Sequence, residues 1–192
     1  MGGVSRTVSD RVAWLQLIKF THDSHPLIYG YSKAITALFA SARKTKGNYH
    51  RDTLVFPLIF LMHHYVELVL KEILLMQAYI LEDRYTYEKT HDILQLWSAC
   101  KPILRAYNYA KGAISITDSM IRDFHKLDPT SEYSRYLHSN KKGVRTSHLQ
   151  AFPDSISYGR LSKMYKRFKN MEGCLDAMSF HLDNRESISE YT

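Results

Sequence analysis

The sequence predicts an all-α fold, a helical bundle with one short β-hairpin excursion near residues 133–147. Apolar residues recur at helical spacing through most of the 192-residue chain. Hydrophobic residues make up 45% of the chain and charged residues 23%, which is typical of a globular domain that buries its own core. We therefore expect one domain over residues 1–192, with an N-terminal helical extension at 1–24 and a frayed tail at 182–192.

The ends of the helices follow from capping residues and helix breakers. Asp10 and Thr90 are candidate N-caps, and Pro26 suits the first turn of a helix. Asp128 and Pro129 predict a helix end, because the residue before a proline avoids the helical conformation. The predicted helices lie near residues 10–20, 26–43, 53–81, 90–104, 114–127 and 158–181.

Two features interrupt the helical pattern. Pro57 lies in the most apolar part of the chain, and we expect it in the first turn of its helix or at a kink. Residues 133–138 and 144–147 flank a polar turn in which Gly143 supplies backbone freedom. This second pattern predicts the short hairpin.

The sequence also carries signals for the cellular compartment of the protein. The most apolar run, residues 54–62, is too short to span a bilayer, and the N-terminus lacks the features of a secretory signal. Cys100 and Cys174 lie in apolar-periodic segments, so we expect buried free thiols, which fit a reducing compartment. These patterns predict a cytoplasmic protein that does not enter a membrane.

A polar stripe interrupts the long apolar helix predicted over residues 53–81. Glu67 precedes Lys71 by four residues, the order that favours an ion pair on a helix. Glu67 also follows His63 by four residues and His64 by three, so either histidine has the spacing of a metal-ligand pair. A two-metal bundle site would need a second Glu-x-x-His helix, and none is evident among the predicted helices. We predict no metal or other cofactor, and expect Glu67 and Lys71 to face the helix that opens near His91.

Three short motifs lie between about residues 53 and 140. In chain order they are Glu67-x-x-x-Lys71, Thr90-His91-Asp92-x-x-x-Leu96, and Tyr133-Ser-Arg135-Tyr136, the last of which follows Leu127-Asp-Pro129. They resemble the Glu-x-x-x-Lys helix, the Thr-His-Asp/Glu-Leu helix start and the Arg-Tyr-Pro element of the HEPN (higher eukaryotes and prokaryotes nucleotide-binding) domains. Ile93 and Leu137 stand where the family usually has Leu and Pro. The resemblance implies a HEPN-like helical bundle.

The resemblance also implies a protein that handles RNA or nucleotide, as an endoribonuclease of a toxin–antitoxin or antiphage system. A metal-independent ribonuclease needs a base for the 2′-OH, an acid for the leaving oxygen and a cation for the phosphorane charge. His91 and His138 are candidates for base and acid, and Arg135 or Lys71 for the cation. Glu67 completes the predicted catalytic set. The alternatives are that His91 satisfies backbone groups at a helix start, and that Arg135 and His138 belong to a surface hairpin.

Basic residues are concentrated between residues 141 and 169, where Asp154 is the only acid in a chain of net charge +7. A local field of that sign attracts phosphate. The candidate RNA- or phosphate-binding residues are Lys141, Lys142, Arg145, Arg160, Lys163, Lys166 and Arg167, with Lys169 beside them. The alternative is a solvated helix face preceded by a loop.

Three functional interpretations therefore stay open. The first is the endoribonuclease, with a partner protein such as an antitoxin. The second is a non-catalytic HEPN-like module that binds a nucleotide or a protein, because the helical Arg–His motif of the family's nucleases has no counterpart here. The third is a plain helical adaptor. In each of them, the surplus of large apolar and aromatic residues, including fourteen Tyr, predicts a homodimer.

Overall fold

The computed structural model of the chain describes residues 25–81, 90–107, 109, 111–129, 132–136, 138–141, 144–147 and 152–189. These residues are mostly helical, which confirms the predicted all-α class. The helices are α1 (His25–Lys44), α2 (Asn48–Leu81), α3 (Ile93–Ala106), α4 (Lys111–His125), α5 (Tyr158–Lys169) and α6 (Glu172–Ser189). Two strands, β1 (His138–Lys141) and β2 (Val144–Ser147), pair antiparallel. The helix predicted near residues 10–20 lies outside the described residues.

Helix α2 forms the centre of the bundle and contacts α1, α3, α5 and α6. It is apolar on nearly all sides, which is typical of a buried helix. The single long helix predicted over residues 53–81 is confirmed, and it begins earlier, at Asn48. Fully buried side chains from α2, α3, α4 and α5 meet in one core, and burying each contributes about 1.5–3 kcal/mol. The largest of them are Tyr65, Trp97, Phe124 and Phe168.

The same helix is long and apolar enough to cross a membrane, and is the single helix among the described residues that is. Within the bundle, 56% of its most apolar 18-residue window is buried by the other helices. The apolar run at residues 54–62, expected to be too short to span, is therefore part of a much longer helix. Its burial indicates the core helix of a soluble-like helical protein.

Of the two alternatives for Pro57, placement in the first turn is wrong, because α2 begins at Asn48 and Pro57 lies inside the helix; a kink at this position stays a prediction. The proline ring is exposed, whereas Val55 and Leu58 on either side of it are buried. A proline inside a helix removes one amide hydrogen bond, which costs about 3 kcal/mol.

The single helix predicted over residues 158–181 is wrong, because the structure has two helices there, α5 and α6. The chain turns at Asn170, and the amide of Met171 donates to the Phe168 carbonyl at 3.0 Å. Met171 and Phe168 are both fully buried, so the turn lets each helix direct its own apolar face into the core. Asn170 and Gly173, both weak helix formers, lie at this break. The second helix continues to Ser189, beyond the predicted end.

The two cysteines are buried free thiols, as the sequence predicted. The Cys100 thiol donates to the Leu70 carbonyl oxygen at 3.3 Å, which ties α3 to α2. Burial raises the pKa of the Cys174 thiol to about 11, so it stays protonated at neutral pH.

Candidate functional site

Two charged side chains of α2 lie inside the bundle. Glu67 is 5% exposed and Lys71 is 9% exposed. One helical turn separates them, and the Lys71 ammonium donates to Glu67 Oε1 at 2.5 Å. Breaking a buried pair of this kind leaves an uncompensated charge, which typically costs about 3–5 kcal/mol.

His91 reaches the same carboxylate oxygen from the segment that precedes α3. Its Nδ1 lies 2.9 Å from Glu67 Oε1. Because an ionised carboxylate only accepts hydrogen bonds, Nδ1 carries the proton and Nε2 is left for other partners. The His91 side chain is 74% exposed, so the ring is open to solvent on its outer side. The prediction that Glu67 and Lys71 face the junction with the helix opening near His91 is confirmed.

The start of α3 explains how His91 is held, and corrects the predicted N-cap. Asp92, rather than Thr90, caps the helix: its carboxylate accepts from the amides of Leu94 and Gln95. The Thr90 hydroxyl accepts the amide of Asp92 at 3.1 Å and so tightens the turn before the cap. His91 therefore lies just outside the helix, where its ring turns back toward α2 rather than satisfying the first helical turn.

The electrostatics of Glu67 favour its charged form. Burial alone would raise the pKa of the Glu67 carboxyl, but hydrogen bonds and charge from Lys71 and then His91 hold it below the ordinary value. Glu67 is therefore an anion at neutral pH. Its negative charge fixes both the Lys71 ammonium and the His91 ring in place.

His64 lies on the same face of α2, one turn before Glu67. Its ring is half-buried between aromatic side chains, 4.6 Å edge-on from Tyr31 and 6.2 Å from Phe60 in a stacked arrangement. Burial lowers the pKa of the His64 imidazole. The Glu67 carboxylate opposes this shift, whereas the positive charges of Lys71 and Arg135 add to it. His64 is therefore neutral at neutral pH.

Arg135 closes the other side of this face. It lies in a turn at residues 133–135, with its guanidinium carbon 5.4 Å from the Phe60 ring centre and 5.4 Å from that of Tyr136. Such cation–π contacts hold an exposed arginine against an aromatic surface. Together, Glu67, Lys71, His91, His64 and Arg135 form a cluster that we call the α2 polar face.

His63 also lies one helical turn before Glu67, but its side chain is in the core. It is completely buried, and neither ring nitrogen has a hydrogen-bond partner among the described residues. Burial lowers the pKa of His63 to about 4. A metal bound by Glu67 with His63 or His64 would need a third ligand, and the described ranges hold no group of three candidate ligands.

The predicted basic segment divides into parts with different environments. Lys163, Lys166 and Lys169 are exposed on α5 and, with Arg167, line a shallow depression beside α4. Arg160 instead pairs with Asp123 of α4 at 2.7 Å, which neutralises part of its charge. The remaining predicted residues are Lys141 and Arg145, in β1 and β2, and Lys142, which lies outside the described residues.

His138 begins β1, and its side chain is outside the described part of the structure. Its predicted catalytic role stays a prediction. The sequence pattern predicts His64 only as a metal-ligand candidate and Asp128 only as part of a helix end. The signal for His64 was its place three residues before Glu67, on the same helical face.

A cleft among the described residues lies apart from the α2 polar face. It has a volume of about 700 Å³ and lies between α4, α5 and the segment at residues 152–157. None of Glu67, His91 or Arg135 lines it.

No protein-family model, curated protein or solved structure that was compared with this chain matches it.

Proposed function

We propose that this protein is a HEPN-like, metal-independent endoribonuclease whose active site is the α2 polar face. The observation that carries the proposal is the contact between the buried Glu67 carboxylate and the exposed His91 ring at 2.9 Å. A carboxylate that fixes one ring nitrogen of a solvent-accessible histidine is the arrangement by which many enzymes orient an acid–base imidazole.

Two histidines in this face supply the two proton transfers that RNA cleavage needs. His64 is neutral at neutral pH and can accept the proton of a 2′-OH. His91 acts as the acid in its doubly protonated form: Nδ1–H donates to Glu67, and Nε2–H passes its proton to the 5′-oxygen as the bond from that oxygen to phosphorus breaks. His138 remains the alternative second histidine.

Arg135 is the better candidate for the phosphate contact. The Lys71 side chain is 11% exposed and its ammonium donates to Glu67, so it serves mainly to hold that carboxylate. Arg135 is exposed beside Phe60 and can approach a phosphate with a planar, bidentate guanidinium. Attack of the 2′-oxygen on phosphorus with loss of the 5′-oxygen leaves a 2′,3′-cyclic phosphate.

The wider context is proposed with the activity. The protein is cytoplasmic, forms a homodimer, and acts in a toxin–antitoxin or antiphage system with a partner that restrains it. Exposed Lys163, Lys166 and Lys169 of α5 add an electrostatic surface for the RNA backbone. Large exposed side chains such as Tyr49 (75%) and Phe180 (68%) support association between copies.

Cleavage of fluorescently labelled RNAs by the purified protein in EDTA tests the activity. We expect His91→Ala and Arg135→Ala each to slow cleavage by about a hundredfold or more, as for lost acid–base or charge stabilisation. The matched controls are His50→Ala, at the exposed start of α2, and Arg105→Ala, at the far end of α3; both should retain the full rate. Unchanged rates in both site variants, or a requirement for added divalent metal, would contradict the proposal.

A binding module without cleavage is the second candidate. It is favoured by the exposure of Arg135 beside Phe60, outside the cleft between α4 and α5, which suits a phosphate contact that does not enclose the reacting atoms. Under this proposal, nucleotides raise the melting temperature of the wild-type protein but not of Arg135→Ala, while no RNA is cut.

A further inference from the structure

The segment between α4 and β1 returns Arg135 to α2 through a short, closed turn. The amides of Arg135 and Tyr136 both donate to the Glu132 carbonyl, at 3.1 and 2.9 Å. Backbone bonds of this kind close the turn but do not fix where it lies on the bundle. A second set of contacts, centred on Asp128, does so.

Asp128 is completely buried directly below this turn. Its Oδ1 accepts the amide of Tyr133 at 3.0 Å, and its Oδ2 accepts the amide of Ser134 at 3.1 Å together with the Ser134 hydroxyl. All three donors come from the two residues that immediately precede Arg135. Hydrogen bonds to a buried carboxylate are charge-assisted and stronger than neutral ones, so this anchor is tight.

We propose that Asp128 is the positioning residue for Arg135: its buried carboxylate holds the 133–135 turn so that the guanidinium stays over Phe60, facing the α2 polar face. The role of Arg135 in phosphate binding rests on the proposed function, whereas the placement of its side chain does not. Without the anchor, the turn and a long flexible side chain spread over many conformations, and the pre-organisation of the cation is lost. The charge of Arg135 also contributes to the lowered pKa of His64, which agrees with this placement.

Hydrogen exchange and NMR test the placement without RNA. In the wild-type protein, we expect slow exchange of the Tyr133 and Ser134 amides and an Arg135 Nε–H signal shifted by the rings of Phe60 and Tyr136. In Asp128→Ala, these two amides should exchange roughly tenfold faster or more, and the Arg135 signal should move to the position of a free arginine. Asp128→Asn, which keeps one acceptor oxygen, should give an intermediate result and covers the case in which the alanine variant does not fold.

A control separates this local effect from a general loss of stability. Leu175→Ala removes a fully buried side chain of α6, far along the chain from the turn. We expect it to lower the melting temperature while leaving the Arg135 signal unchanged. Protected Tyr133 and Ser134 amides in folded Asp128→Ala or Asp128→Asn would overturn the proposal, as would an unmoved Arg135 signal.

Cleavage kinetics then test the functional half. Asp128→Ala should lose about as much activity as Arg135→Ala, and the double variant should be no slower than Arg135→Ala alone, because both changes act through one group. Further loss in the double variant would overturn the assignment of Asp128 to Arg135. If the wild-type protein cuts no RNA, the proposed function fails, while the exchange and NMR results still decide the placement.

Discussion

The buried imidazole of His63 makes folding sensitive to mild acid. In the folded protein its pKa is lowered from 6.5 to about 4, and burial is the largest cause. The negative charges of Asp128 and Glu67 oppose this shift, whereas His125 and Arg135 add to it. Between these two values the unfolded chain binds a proton that the folded chain does not. Stability therefore rises with pH across this window and falls as pH drops from 6.5 towards 4.

The size of the effect follows from the shift. A difference of about 2.5 pH units, at about 1.36 kcal/mol per unit, gives about 3 kcal/mol lost on full acidification. His63 is completely buried, so solvent screening does not reduce this figure substantially. Against a typical domain stability of about 5–15 kcal/mol, a loss of this size is readily measured.

Replacing His63 by leucine, which is apolar and similar in volume, should remove the effect. Urea denaturation followed by far-UV circular dichroism at several pH values from 7 to 4.5 gives the free energy of unfolding of both proteins. The wild-type curve should fall more steeply with acid than that of His63→Leu. A matched variant at an exposed histidine, His50→Gln, should follow the wild-type curve. Parallel curves for wild type and His63→Leu would refute the assignment of a neutral, buried, unpaired imidazole.

Three further predictions concern the ion pair, the basic helix and association. Lys71→Met should lower the free energy of unfolding by about 3–5 kcal/mol with little salt dependence, because the buried Glu67 carboxylate then has only the exposed His91 ring of these two partners. A loss below about 1 kcal/mol in urea denaturation would contradict a buried pair. Changing Lys163, Lys166 and Arg167 of α5 to Glu should abolish salt-sensitive retention of RNA on a filter without altering helicity. Unchanged retention would show that this surface does not bind RNA. Light scattering at micromolar concentration should report a dimer, and a monomer throughout would contradict association.

Local patterns in the sequence determined the helical class and the centre of the site. The four-residue spacing of Glu67 and Lys71 places them one turn apart on any helix, so their pairing follows from the sequence alone. The apolar residues around the stripe predicted that the pair would face a neighbouring helix, and the structure buries both side chains at that junction. The motif that opens α3 predicted that His91 would lie beside the pair, although the residue that caps α3 is Asp92 rather than Thr90.

Contacts between elements that are distant in sequence were decided by the tertiary structure. No periodicity indicates that Asp128 accepts hydrogen bonds from Tyr133 and Ser134, or that Arg160 is paired with Asp123 across two helices. Such contacts depend on how helices and turns pack, which is set by the summed burial of many side chains rather than by local spacing. The same packing divides α5 from α6 at Asn170, where the apolar stripe runs on unbroken in the sequence. It also buries the His63 ring completely and leaves the His64 ring half-buried, although the two histidines are adjacent in the chain.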